Sequence, residues 1–98
     1  MLTETVRINM SKPLHEMNQA ELREYWGNKS SNFLVGKTIR RVRYLTESER
    51  EDLGWCRSPL VIEFEDGHWL VPMNDDEGND GGSLWTSSGS DLSIIPTL

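Results

Sequence analysis

Residues 60–73 constrain the fold of this chain more than any other stretch of the sequence. They read Leu-Val-Ile-Glu-Phe-Glu-Asp-Gly-His-Trp-Leu-Val-Pro-Met, so Asp66 and Gly67 separate two runs of strand-forming residues. An Asp-Gly pair in this position is typical of a β-hairpin with a two-residue turn. In that hairpin Phe64 lies opposite Trp69, and both rings belong to its apolar face. The same face is expected to carry two further pairs, Ile62 with Val71 and Leu60 with Met73.

Length and composition predict a single domain over residues 1–98. The chain has 98 residues, of which 36% are hydrophobic and 27% charged, a balance typical of a folded protein large enough to bury one core. The lone Cys56 cannot form an internal disulfide. No apolar run approaches the roughly 20 residues that span a bilayer, and the N-terminus lacks the layout of a signal peptide. We therefore expect a cytoplasmic protein that does not enter a membrane.

The N-terminal third is expected to contain one helix. Residues 1–12 are expected to form an additional strand, because apolar and polar residues alternate there, or a leader, because chain termini are often loose. Asn18 with Glu21 three positions later predicts a capping box at the start of a helix. Gly27 and Asn28 are residue types that commonly end a helix. The sequence therefore predicts a helix over residues 18–27.

The segment from residue 35 onwards is predicted to be a series of short strands. Simple alternation fails between Ile39 and Val42, and a β-bulge at Arg40-Arg41 would keep Ile39, Val42 and Tyr44 on one face. Residues 46–49 offer a second capping box, which begins one or two helical turns that Gly54 ends. Further along the chain we expect a polar surface loop at residues 74–82, followed by two short strands at residues 83–87 and 92–95.

Two motifs give the chain a resemblance to the Sm and LSm family. They are Gly36-Lys37-Thr38-Ile39 at a strand start and Val61-Ile62-Glu63-Phe64-Glu65-Asp66-Gly67 at the first hairpin, with Met73-Asn74-Asp75 after them. The chain is also similar to small uncharacterised proteins of bacteriophages and marine microbes that carry a Gly-Lys strand and an Asp-Glu-Gly-Asn loop. The resemblance implies ring or dimer assembly. The Arg-Gly pair that grips uridine in Sm proteins does not occur here, so no site residue is carried over.

This order of elements predicts a mainly β (α+β) fold. A short N-terminal helix is followed by about five short antiparallel strands, which form a small, strongly bent sheet or partly open barrel over residues 35–98. The resemblance to Sm and LSm proteins implies that this is an Sm/SH3-like barrel.

Arg40, Arg41 and Arg43 are the candidate nucleic-acid-binding residues. Three guanidiniums within four residues create a local positive field that suits phosphate. The competing interpretation pairs them with Glu63 and Glu65 on the neighbouring strand. The net charge of −6 opposes polyanion binding and favours the pairing.

Neither metal chemistry nor catalysis is expected. If Asp76 began an EF-hand loop, Gly78 and Ser87 would occupy ligand positions that neither can fill, so a metal-binding protein that uses loop 74–82 is only an alternative. No spacing places His15 or His68 beside Cys56 to activate its thiol. We therefore expect no enzyme, no cofactor and no metal.

The tryptophans point towards an assembly role. Trp26 and Trp69 are expected inside the molecule, which leaves Trp55 and Trp85 as interface candidates. A small sheet has open edges, and pairing them between copies would hide them, so a homo-oligomer is expected. The sequence therefore predicts a non-enzymatic binding or assembly module. Its partner is another copy, RNA or a different protein.

Overall fold

Lys12 is the first residue that the computed structural model of this chain describes, and the description continues to Leu98. The leader or strand expected over residues 1–12 lies, except for Lys12, outside the described residues. The chain divides into two units, of which the first ends at Gly36 and the second spans Lys37–Leu98.

The first unit contains a single-turn 3-10 helix, Leu14–Glu16, and a long helix, α1, at Gln19–Leu34. The capping box that starts α1 is confirmed. The side-chain oxygen of Asn18 accepts a hydrogen bond from the backbone N–H of Glu21 at 2.9 Å, and the Glu21 carboxylate accepts one from the backbone N–H of Asn18 at 2.9 Å. Lys12 pairs with the same carboxylate at 2.9 Å, so Glu21 is held by two partners.

The prediction that the helix ends at residue 27 is wrong. α1 continues through Gly27 and Asn28 for two further turns to Leu34. Glycine in a helix interior costs only about 1 kcal/mol, which does not stop a helix whose next residues can continue it. The left-handed glycine comes later, at Gly36 with φ +83°. Trp26, expected inside, is an exposed residue.

The second unit is built from one short helix and five strands in two antiparallel sheets. Its elements are β1 (Ile39–Tyr44), α2 (Glu47–Leu53), β2 (Leu60–Phe64), β3 (Trp69–Leu70), β4 (Leu84–Trp85) and β5 (Ile94–Ile95). One sheet has the order β1-β2-β3, and β4 pairs only with β5.

The prediction of a mainly β, strongly bent Sm/SH3-like barrel is wrong. The two α-helices of the described chain have 16 and 7 residues, whereas three of the five strands have 2 residues each. A barrel needs strands long enough to tilt, stagger and close the sheet on itself. Within residues 12–98 the two sheets stay separate and no barrel closes, so the fold is α+β.

The predicted β-bulge in β1 is confirmed. Ile39 pairs with Phe64 and Arg41 pairs with Glu63, which leaves Arg40 as the extra residue. The bulge restores the phase of the strand, so Ile39, Val42 and Tyr44 share a face of the sheet.

The predicted register of the central hairpin is wrong by one residue. Trp69 lies opposite Glu63, not opposite Phe64. The loop has three residues, because the N–H of Gly67 donates to the carbonyl of Phe64 at 3.0 Å and the N–H of Phe64 donates to the carbonyl of His68 at 2.9 Å. Gly67 has φ +93°, which is typical of a three-residue hairpin with a left-handed glycine.

The second capping box is also confirmed, and so is the helix that it begins. The backbone N–H of Glu49 donates to the Thr46 hydroxyl at 3.1 Å, and the Glu49 carboxylate accepts from the backbone N–H of Thr46 at 2.9 Å. α2 ends at Leu53, and Gly54 follows with φ +73°.

The buried residues of the second unit cluster around β2. Trp55, Val61 and Phe64 are buried, and Pro59 is the most enclosed of the described side chains. Leu98 exchanges two backbone hydrogen bonds with Ser58, at 2.8 and 2.9 Å. The C-terminal residue is therefore tied to the segment that enters β2.

Candidate binding groove

A groove of about 650 Å³ lies between α2 and one face of the three-stranded sheet. Most of the side chains that line it are apolar, and the remainder carry charge. The apolar ones are Leu45, Leu53, Trp55, Val61, Trp69, Val71 and Met73. The charged ones are Arg43, Glu49, Asp52 and Glu63.

Local sequence patterns bring these side chains to the groove. Val61 and Glu63 are two residues apart on β2, so both project from the same face of the sheet. The three-residue hairpin loop places Trp69 opposite Glu63 and therefore on that face as well. On α2, Glu49, Asp52 and Leu53 stand at the i, i+3, i+4 spacing of one helix face.

The groove has a buried floor and an exposed rim. Val61 and Trp55 are buried, and the indole N–H of Trp55 donates to the carbonyl of Gly78 at 2.8 Å. Leu53, Trp69 and Met73 are exposed. The polar edge of Trp55 is thus satisfied within the protein, while large apolar side chains remain open to solvent at the rim.

Glu63 is the centre of a charged cluster that joins β1 to β2. It pairs with Arg40 at 3.5 Å, Arg41 at 2.7 Å and Arg43 at 3.2 Å. Arg43 also reaches Glu49 on α2 through two nitrogen–oxygen contacts of 2.9 and 3.2 Å. The cluster therefore links the sheet to the helix across one end of the groove.

The ion pairs shift the pKa values of the cluster. The hydrogen bond from Arg43, together with the backbone and hydroxyl of Thr46, lowers the pKa of Glu49 to about 2. The hydrogen bond from Arg41 lowers the pKa of Glu63, against partial desolvation and with help from Arg43. Both carboxylates are therefore ionised at neutral pH.

The candidate nucleic-acid-binding residues are thus engaged with carboxylates. Arg40, Arg41 and Arg43 all contact Glu63, the partner named in the competing interpretation. A guanidinium already bonded to a carboxylate must give up that contact before it binds a phosphate.

Asp52 is the groove carboxylate without such a partner. Within residues 12–98, no ion pair or side-chain hydrogen bond engages it. The nearby Arg50 donates to the carbonyl of Trp55 at 2.8 Å and contacts Glu51 at 3.8 Å.

The two tryptophans proposed as interface residues have opposite environments. Trp55 is buried in the floor of the groove, whereas Trp85 on β4 is 86% exposed. Trp85 does not line the groove. Their role in an interface stays a prediction.

Loop 74–82 has a structural contact at Asp80. One oxygen of its carboxylate accepts hydrogen bonds from the backbone N–H groups of Cys56, Arg57 and Gly81, at 3.1, 3.0 and 2.8 Å. Desolvation raises the pKa of Asp80, but these backbone donors outweigh it and the net shift is downward. Nowhere in the described part of the chain do three or more His, Cys, Asp or Glu residues group so that they could hold a metal ion.

Sequence reasoning missed most of this site. The sequence did not single out Asp52 or Leu53, and it placed Trp69 and Met73 together on the core face of the hairpin. The i, i+3, i+4 spacing on α2 was a usable signal for the helix wall. The side of the groove formed by the sheet could not be predicted in the same way, because it depends on the register of the hairpin.

These features define an α+β protein with an apolar, partly charged groove between a short helix and a three-stranded sheet. In residues 12–98 no helix has both the length and the hydropathy needed to cross a membrane. Comparison of the chain with family models, curated proteins and solved structures finds no match. The resemblance to Sm and LSm proteins therefore stays a prediction.

Proposed function

We propose that this chain is a non-enzymatic binding module whose groove takes an apolar segment of a partner protein. The observation that carries the proposal is the rim of the groove, where Leu53, Trp69 and Met73 are exposed around a buried floor. Apolar surface gathered in a concave site is typical of a binding site.

The size and residue types of the groove suit a peptide segment. Its volume of about 650 Å³ lies within the range of about 300–1,000 Å³ found for ligand sites. Aromatic residues and methionine are enriched at protein interfaces, and the flexible Met73 side chain can adapt to different apolar partners. An occupant would remove Leu53 and Trp69 from water, and burial of apolar area contributes a favourable free energy of about 25 cal/mol per Å².

Charge favours a protein over RNA as the occupant. Basic and acidic residues balance over residues 1–36, so the excess of acidic side chains lies entirely in the second unit. Phosphate binding draws on unpaired Lys and Arg, whereas the groove's own arginine, Arg43, is bonded to Glu49 and Glu63.

Selection from a random octapeptide display library tests the proposal. The full chain is immobilised, and the selected peptides are then synthesised and titrated against two variants. Trp69→Ala removes an exposed ring from the groove, and Trp85→Ala removes a still more exposed ring that does not line it. We expect Trp69→Ala to weaken binding about tenfold or more, and Trp85→Ala to leave it within about twofold. Absence of binders, or binders indifferent to Trp69→Ala, would contradict the proposal.

A further inference from the structure

We infer that the groove selects a segment in which apolar side chains are accompanied by one basic residue, and that Asp52 binds that basic residue. This inference rests on the proposed function and deepens it, because it names the chemistry of the partner.

The charges of the groove do not balance. One guanidinium, Arg43, faces three carboxylates. Arg43 is bonded to Glu49 and Glu63 at one end of the groove, and within the described residues no ion pair engages Asp52. The protein thus satisfies its groove charges internally, with the exception of this carboxylate.

The position of Asp52 on α2 also favours a basic binding partner. Asp52 is the residue before Leu53, in the last turn of the helix. The carbonyl groups that end a helix carry partial negative charge, so an acidic side chain is unfavourable there and a cation is favourable. A basic group bound at this point would therefore relieve the unfavourable placement of the Asp52 carboxylate.

Asp52 also stands beside the apolar rim. Leu53, the next residue, is exposed and lines the groove, as Asp52 does. A segment that buries an apolar side chain against Leu53 therefore brings its neighbouring side chains within reach of Asp52. The bound segment also shields the pair between Asp52 and its basic residue from water, and a shielded charge pair is stronger than one in open solvent.

The electrostatic field of the whole second unit also favours a basic partner. The net charge of −6 arises in that unit, and a field of one sign raises the rate at which oppositely charged partners arrive. A second copy of this chain would bring the same negative charge to the groove. The charge balance therefore favours a basic segment of a different protein.

The test uses the octapeptides selected by the full chain and two charge variants. Asp52→Asn removes the proposed contact, and Asp91→Asn makes the same change outside the groove. We expect the selected peptides to be enriched in Arg or Lys beside apolar residues. Replacing that basic residue with norleucine should weaken binding to the native chain and to Asp91→Asn about tenfold, and binding to Asp52→Asn less than about twofold.

Each contrary result has a distinct meaning. Two results would overturn the inference and leave the proposed function standing. In the first, the peptides require Trp69 but show no preference for a basic residue. In the second, replacing the basic residue with norleucine weakens binding to Asp52→Asn as much as it weakens binding to the native chain. Absence of Trp69-dependent peptides would overturn both. A dimer of the native chain that dissociates on Trp69→Ala substitution would identify a second copy as the occupant and would also overturn the inference.

Discussion

Trp69 lies directly across the β2–β3 pairing from Glu63, and this register position decides the face on which its indole ring lies. Phe64, the next residue along β2, is 5% exposed, whereas Trp69 is 62% exposed. Because successive side chains of a strand point to opposite faces, Phe64 belongs to one face of the sheet and Trp69 to the other. The indole ring is therefore part of the groove wall.

This arrangement predicts unequal effects of truncating the two rings. Phe64→Ala should lower the free energy of unfolding by about 3–5 kcal/mol, because it leaves a cavity in the core. Trp69→Ala should lower it by less than about 1 kcal/mol, because the ring is mostly in water. Urea unfolding measures both values, and Phe64→Leu provides a milder core variant should Phe64→Ala not fold. Equal losses would show that Trp69 is a core residue.

Substitution by alanine is expected to change stability in opposite directions at two glycines. A Cβ atom on Gly82 would lie 2.6 Å from the carbonyl oxygen of Met73, whereas one on Gly27 would meet nothing within 4 Å. Gly82→Ala should therefore destabilise the protein by about 1–3 kcal/mol. Gly27→Ala in the interior of α1 should stabilise that helix by about 0.5–1 kcal/mol. Thermal unfolding followed by circular dichroism checks both, and shifts of the same sign would contradict the prediction.

The pair formed by Glu49 and Arg43 predicts a loss of stability in acid. The pKa of Glu49 falls from its ordinary value of 4.5 to about 2 in the folded protein. Because the folded pKa lies below the unfolded one, the contribution of this carboxylate is complete above the unfolded value and is lost as the pH falls towards the folded value. Unfolding midpoints measured from neutral pH down to about pH 2 should therefore decline below about pH 4.5.

Two variants assign that decline to Glu49. Glu49→Gln should lower the unfolding midpoint at neutral pH and make the acid decline shallower, since it removes the titrating group. Glu47→Gln alters the same helix outside the groove and should leave the decline as it is in the native chain. An unchanged acid decline in Glu49→Gln would show that other groups cause it.

Self-association is expected at Trp85, outside the groove. This ring is 86% exposed on a two-residue strand, and exposed tryptophans are typical anchors of interfaces. Light scattering at micromolar concentrations should give a mass above that of one chain, and Trp85→Ser should lower it. Trp26→Ser, which removes an exposed tryptophan from α1, serves as the control. A single-chain mass for the native protein would contradict the prediction.

The sequence determined by itself those features that depend on a few neighbouring residues. Both capping boxes, at Asn18 and Thr46, join groups three positions apart. The bulge at Arg40 follows from the phase of the apolar residues on one strand. Such local contacts form in almost the same way whatever surrounds them, so the pattern was sufficient to predict them.

Only the tertiary structure decided the hairpin register and the groove, whereas the end of α1 depends on the residues that follow Gly27. Gly27 permits both a helix end and a helix interior, and the residues around it settle which one occurs. Asp66 and Gly67 fit either a two-residue or a three-residue loop. A shift of one residue between those loops moves Trp69 to the other face. The hairpin pattern placed Phe64 in the core, where it is buried. Assembly of the groove wall from separate elements depends on long-range packing, which no single stretch of sequence contains.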